Sequence, residues 1–489
     1  MKRFTAILLS FTVCFILFGC SKNSIQKSKV SSHSSSSKKD EIVWVTDKYA
    51  AVDGDLVEKL NSLLKKRGYN FRVSFKKIED NWESDSLLPT IMELKNSGQQ
   101  ADLIYSGVGN ADKTVNNYYD FVKNGIYTDL TQMLSTESGR AVKNAIDDKI
   151  WKGITVNGKI YGVRVQGYVA VPAALGFNKE IVNKYHLDIS NPSADLWDYE
   201  DMLKKVYEGE KTNKKFSALV LLTDLSNNCL MNYDAITKAI GINLMDPSAK
   251  AVNMYEQDYV KKWFITTKRY RDLGFICDNP DNYFMRYEGY FAESGTEGSG
   301  KYKVNMLFRK IGPLYAKQSA VNHAINGIAS WSENKENAFE MLKLCTTDKD
   351  IANLLVYGIE GQNYTLKDGK VVPNKNDYHD PINQMFFANN LLLYSSPEFG
   401  IDMSNCKEYN ASAKESPILG FFFDDSSVKK EVKATDAVVA KYTEQLWDGE
   451  EANAEETLAQ MQRELKAAGI DKVLDEVNRQ IEAWKTVNK

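Results

Sequence analysis

Histidine is scarce in this chain, four residues in 489, and His33, His186, His323 and His379 are scattered with no HExxH among them. A zinc hydrolase needs ligands placed close together, so that class fits poorly. No GxSxG is present, which removes the usual serine-hydrolase elbow. Cysteine is also sparse. Of six, Cys14 and Cys20 lie near the start, while Cys229, Cys277, Cys345 and Cys406 stand far apart and form no CxxC. Spacing cannot pair those four, so disulfides stay open and scattered buried thiols are the expected state. Excess positive charge is missing too: 62 Lys and Arg against 65 Asp and Glu give a net charge of −3, no basic field for nucleic acid. Only one long apolar run exists, Phe4 to Phe18, and it falls short of the about 20 residues a membrane-spanning helix needs. What remains is ordinary soluble composition, 43% hydrophobic and 26% charged, with enough length for two or more domains.

That apolar run begins after Lys2 and Arg3 and ends at Gly19, the pattern of a secretory signal. Leu17-Phe18-Gly19-Cys20 resembles the bacterial lipobox. The resemblance implies that residues 1–19 are a lipoprotein signal peptide and that Cys20 is lipidated, carrying acyl chains such as palmitate. Residues 20–40 are rich in Ser and Lys, with too little apolar surface to offset the entropy of ordering, and read as a flexible tether. The expected location is the extracellular face of the bacterial cell membrane, with the body held by a lipid anchor.

After the tether, "EIVWVTD" (41–47) reads as a buried strand. "DGDLVEKLNSLLKKRG" (53–68) is a helix with aspartates at its start and Gly68 at its end. "FRVSFKKI" is a second strand, "LLPTIMELKNSG" a second helix with Pro89 in its first turn, and "ADLIYSG" (101–107) a third strand. This β-α-β-α-β run predicts a parallel sheet, whose ligands sit beyond the carboxyl ends of the strands. A second strand–helix series starts near "YVAVPAALGFNKEIV" (168–182). From about Ala434 the chain turns helical, with a break expected at Gly469. The stretch "GTEGSGKY" (295–302) fits GxxxxGK, but Tyr302 stands where a phosphate-binding loop needs Ser or Thr, and it reads as a glycine loop. Paired carboxylates need only meet in space, so a cleft glycoside hydrolase stays open as an alternative.

Several segments, read in order, resemble the extracellular solute-binding proteins of family 1, which serve carbohydrate ABC transporters. They are "GIYTDLTQML" (125–134), "WKGITVNGKIYGV" (151–163), "LGFNKEIVNKYHLD" (175–188), "WDYEDMLKKV" (197–206) and the long stretch from Ile325 to Tyr364 with its "YGIEG". The last part, through "LGFFFDD" and "LKAAGIDKVLDE", resembles a C-terminal domain of unknown function found on a long subgroup of these lipoproteins. The resemblance implies an α/β, two-lobed clamp of the periplasmic-binding-protein kind, with each lobe discontinuous. Lobe one is expected at 41–170 with 303–346, and lobe two at 171–302 with 347–489.

It further implies capture of a carbohydrate, an oligosaccharide, in the cleft and delivery to ABC permease subunits. The protein would be a monomer without catalysis, cofactor or metal. The alternatives are the same clamp for a non-sugar solute or a sensor role, and the glycosidase. Sugars present apolar faces that stack on aromatic rings and hydroxyls that need polar partners. The candidate ligand residues are therefore Trp44, Asp47, Tyr49, Trp82 and Tyr105 near strand ends of lobe one, Gln166 and Tyr168 at the crossing, and Trp331 and Glu360 in the family-like stretch. For each aromatic a packing role competes with stacking, most of all for Trp44 between Val43 and Val45. At Trp331 the chain departs from the family pattern, where a small or hydroxyl residue is usual.

Overall fold

The expected β-α-β-α-β run builds the first sheet. Glu41–Asp47 pairs in parallel with Arg72–Ile78 on one side and with Leu103–Tyr105 on the other. Helix Gly54–Lys66 joins the first two strands. The Asp53 carboxylate accepts the Leu56 N–H at 2.8 Å to cap it, and Leu56, Leu60 and Leu64 form its buried stripe. Helix Leu88–Asn96 leads to the third strand, with Pro89 in its first turn. Two strands from later in the chain complete the sheet: Ile325–Ile328, antiparallel to Leu103–Tyr105, and then Val163–Arg164. In this computed structural model the described residues are 40–78, 87–107, 117–170, 173–221, 229–288, 297–298 and 304–487. The leader, Cys20, nearly all of the tether, Trp82 and most of the 295–302 glycine stretch lie outside them.

The second sheet runs in the order Glu297–Gly298, Met306–Ile311, Ala173–Asn178, Asn282–Glu288, Phe216–Val220. Ala173–Asn178 is antiparallel to both neighbours, while Asn282–Glu288 and Phe216–Val220 are parallel. Helix Asp258–Asp272 packs Val260, Trp263 and Phe264 into this lobe. The C-terminal helices Lys429–Leu446, Ala454–Ala467 and Ile470–Val487 add Leu446, Leu458, Met461, Val473, Val477 and Ile481 to the same core. Gly469, at φ +93°, makes the expected break. No helix among the described residues is long and apolar enough to cross a membrane. Cys229, Cys277, Cys345 and Cys406 are free thiols.

The division between lobes differs from the expected one. Strand Met306–Ile311, expected in lobe one, hydrogen-bonds along Ala173–Asn178 and so belongs to lobe two. Helix Lys349–Tyr357, expected in lobe two, sends Ile351, Leu354 and Leu355 into the core of lobe one, where Phe386 and Phe387 join them. Its opposite side, Ala352, Val356 and Tyr357, packs with Tyr364, Val371, Ala388 and Ile401 in a small satellite cluster. The chain therefore passes between lobes three times, near 165–170, 312–317 and 413–421. The last two passages are bound together as a short parallel ladder, Tyr315–Ala316 with Lys414–Glu415.

Candidate ligand cleft

Strand directions locate the cleft. Glu41–Asp47, Arg72–Ile78, Leu103–Tyr105 and Val163–Arg164 all run the same way, and the first passage leaves lobe one directly after Arg164. In lobe two, Phe216–Val220, Asn282–Glu288 and Met306–Ile311 share one direction, and the second passage leaves just after Ile311. The passages thus join the carboxyl edges of the two sheets, the edges where ligands of open α/β sheets bind.

Several expected residues gather at the lobe-one edge. Asp47 ends its strand, and its buried carboxylate accepts the Tyr49 N–H at 2.7 Å, fixing the turn. Tyr49 is 46% exposed, the most open of the described aromatics in the set, with the Lys48 ammonium 5.2 Å from its ring centre. Tyr105 is buried; its hydroxyl donates to the Met385 carbonyl at 3.0 Å, and its ring meets Phe386 edge-on. Gln166 is also buried. It accepts the Asp147 N–H at 2.8 Å and donates to the Gly167 carbonyl at 3.0 Å, which pins the first passage. Tyr168, half-buried on that passage, donates to the Asp402 carbonyl at 3.2 Å and faces Tyr409.

The others stand elsewhere. Trp44 is wholly inside lobe one, its indole N–H donating to Asn326 Oδ1 at 2.9 Å and its ring stacked on Phe75. Trp331 follows Ile325–Ile328, which runs opposite to the parallel strands, so it emerges at their amino ends, donating to the Gln99 carbonyl at 3.0 Å. Glu360 lies in the turn after helix Lys349–Tyr357, bridged to Tyr364. Burial first, and then the Glu360 charge, pushes the Tyr364 hydroxyl up to about 12.

Two groups at these edges carried no sequence signal. Residues 379–390 lie over the lobe-one edge, held by Asn383, which both accepts the Ala51 N–H and donates to the Ala51 carbonyl at 2.8 Å, leaving Met385 42% exposed. In lobe two, half-buried Trp197 meets Tyr259 edge-on, with the Lys262 ammonium 3.7 Å from its ring centre. Tyr287, near a carboxyl strand end, ties this group down by donating to the Ala194 carbonyl and packing on Trp263. One carboxylate cluster among the described residues has metal-like spacing, Asp278, Asp448 and Glu450 within 4.8 Å. Arg271 already bridges it, at 2.9 Å to Asp278 and 3.0 Å to Asp448.

Two discontinuous α/β lobes with joined carboxyl edges make this the fold of the two-lobed solute-binding proteins. The N-glycan transport solute binding protein NgtS from Streptococcus pneumoniae superimposes with a TM-score of 0.74 at 24% identity, over 92% of this chain and 99% of that one. The same protein in complex with Man5GlcNAc gives 0.63 at 23% identity, over 92% and 99%. In sequence, the chain is 28% identical over 410 residues to a carbohydrate ABC transporter substrate-binding protein of Streptococcus pneumoniae serotype 4 (strain ATCC BAA-334 / TIGR4), covering 79% of this chain and 82% of the relative. Residues 417–486 match a domain of unknown function, DUF3502. The C-terminal region expected from the sequence is therefore present.

Proposed function

We propose that this protein captures a carbohydrate, an oligosaccharide, between its lobes and hands it to an ABC permease. The observation that carries this reading is the 28% identity to a carbohydrate ABC transporter substrate-binding protein, extending over 79% of the chain and so across both lobes. The cleft adds physical support, because aromatic rings and buried polar groups line the edges that a hinged pair of lobes would close on a sugar. Within the expected set, Tyr49 and Tyr168 are the side chains we assign to sugar contact. Asp47, Tyr105 and Gln166 hold the backbone that presents them, and Trp82 remains a candidate from the sequence. The lipobox-like Leu17-Phe18-Gly19-Cys20 supports a lipid anchor at the extracellular face of the membrane, with a monomeric body on a tether. The protein performs no covalent chemistry in this reading.

Incubation with a bound glycan, followed by mass analysis, tests the last point: the sugar is expected back intact. Shortened products would move the glycoside hydrolase forward. Deleting the gene is expected to abolish uptake of that glycan by the parent cell, and unchanged uptake would sink the delivery role.

A further inference from the structure

The hinge side of the cleft holds cations that lack counter-ions. Arg164, the last residue of its strand at the lobe-one carboxyl edge, is 7% exposed. Its guanidinium donates only to backbone carbonyls, Val165 at 3.0 Å and Ala320 at 3.1 Å, and its Nε is buried with no partner. A guanidinium has five N–H donors, so most of this one is unused. His323 stands beside it, just past the turn at Gly107, whose carbonyl accepts the Ala324 N–H. The His323 Nδ1 is also buried without a partner. Burial and the Arg164 charge push that imidazole down to about 3, so the ring stays neutral. Asp147, whose charge like that of Arg164 reaches the Cys406 thiol, spends its carboxylate capping the Lys149 N–H at 2.9 Å and makes no ion pair with Arg164.

A second cation without an ion pair stands on the other lobe, over a ring of the helix that also carries Cys406. Lys310, next to last in Met306–Ile311, lies 4.0 Å from the Tyr409 ring centre and makes no ion pair among the described residues. Tyr409 lies one helical turn from Cys406 on Cys406–Ser412, and the Arg164 charge acts on that Cys406 thiol. Burying a charge without a partner is costly, and elsewhere in this molecule buried or half-buried arginines such as Arg271 and Arg67 do have carboxylate partners.

We propose that Arg164 and Lys310 form an anion subsite at the base of the cleft, so that the cargo is an acidic saccharide whose carboxylate docks between the lobes. This rests on the carbohydrate reading above and narrows it. A carboxylate there takes up the unused N–H donors of Arg164 in a charge-assisted bond and brings Lys310 of lobe two toward it, so the acidic group itself favours closure. Hydrogen bonds to charged groups of this kind correspond to about 10- to 100-fold in affinity.

The test is titration calorimetry on the intact protein with three probes. These are uronate-containing oligosaccharides (hyaluronan and galacturonate oligomers), the same oligomers with their carboxyls reduced to alcohols, and neutral oligomannose. A uronate oligomer is expected to bind at least tenfold tighter than its reduced form, with the gap closing in Arg164→Gln and narrowing in Lys310→Gln. Lys310 is exposed, so that second variant keeps the test open if Arg164→Gln fails to fold. Oligomannose binding as tightly as any uronate, with neither variant altering the order, overturns the subsite and leaves the carbohydrate reading standing. No binding of any of the three glycan types to a folded protein overturns both.

Discussion

Asp234, fully buried in lobe two, accepts the backbone N–H of Gln318 at 2.7 Å, and Gln318 opens a short helix of lobe one. The same carboxylate accepts the Ser319 N–H at 3.1 Å. The Gln318 side chain extends the junction, donating to the Gly153 carbonyl at 2.9 Å and accepting the Gly420 N–H at 2.7 Å. One carboxylate and one amide thus tie the second and third passages to both lobes, giving the clamp a fixed pivot. Asp234→Asn leaves at least one buried donor without an acceptor and is expected to cost about 1–3 kcal/mol in urea unfolding. An unchanged midpoint would show that the pivot is held by other contacts.

Gly327 packs against Tyr127. A Cβ at Gly327 would stand 2.4 Å from the ring, in a strand with neighbours on both sides in the lobe-one sheet, and the Tyr127 hydroxyl is fixed by donating to the Ile104 carbonyl at 3.0 Å. Gly327→Ala is expected to destabilise by about 1–3 kcal/mol through overpacking. Restoration by Tyr127→Leu, which makes room, would identify the ring as the cause; a neutral Gly327→Ala would contradict the packing.

Glu451, in the connection between helices Lys429–Leu446 and Ala454–Ala467, is buried with both carboxylate oxygens unpartnered. Burial, against smaller opposing pulls from its own backbone N–H and from Lys268, raises its pKa from 4.5 to about 7. The folded state therefore holds this proton more tightly than the unfolded chain. The stability this group contributes is intact below pH 4.5 and is lost as pH rises toward 7. Wild type and Glu451→Gln are expected to differ little in how stability changes below pH 4.5, and the variant should gain on wild type between pH 5 and 7.5. Parallel melting curves across that range would show that the carboxyl is solvated.

Tyr49 is an exposed surface residue, so Tyr49→Ala should leave stability within about 0.5 kcal/mol of wild type. If it stacks on sugar, affinity should fall by about three- to tenfold. Full affinity with a folded variant would remove Tyr49 from the site.

Local signals carried the first half of lobe one. The apolar run in Glu41–Asp47, the Asp53 cap and Pro89 in the first turn of its helix are decided within a few residues, and the structure has each of them. The lobe boundaries were not legible in that way. Met306–Ile311 finds its partner about 130 residues earlier, and nothing in its own pattern says which sheet it joins. Helix Lys349–Tyr357 is buried on two sides, so its apolar residues gave no direction. For site residues the limit was sharper. Trp44 and Trp331 offered the right side chains, but only strand direction places one in the core and the other at the amino end. Arg164 showed nothing in sequence, because its meaning comes from the carboxylate it lacks.

Carbohydrate binding between the lobes is open to direct measurement by thermal unfolding of the protein against a panel of neutral and acidic oligosaccharides. A ligand at 100 times its Kd adds about 2.7 kcal/mol, a rise of a few degrees in Tm. Such a rise is expected with one class of oligosaccharide, reduced in Tyr49→Ala. A flat Tm across the whole panel, from a protein that unfolds cooperatively, would contradict carbohydrate binding.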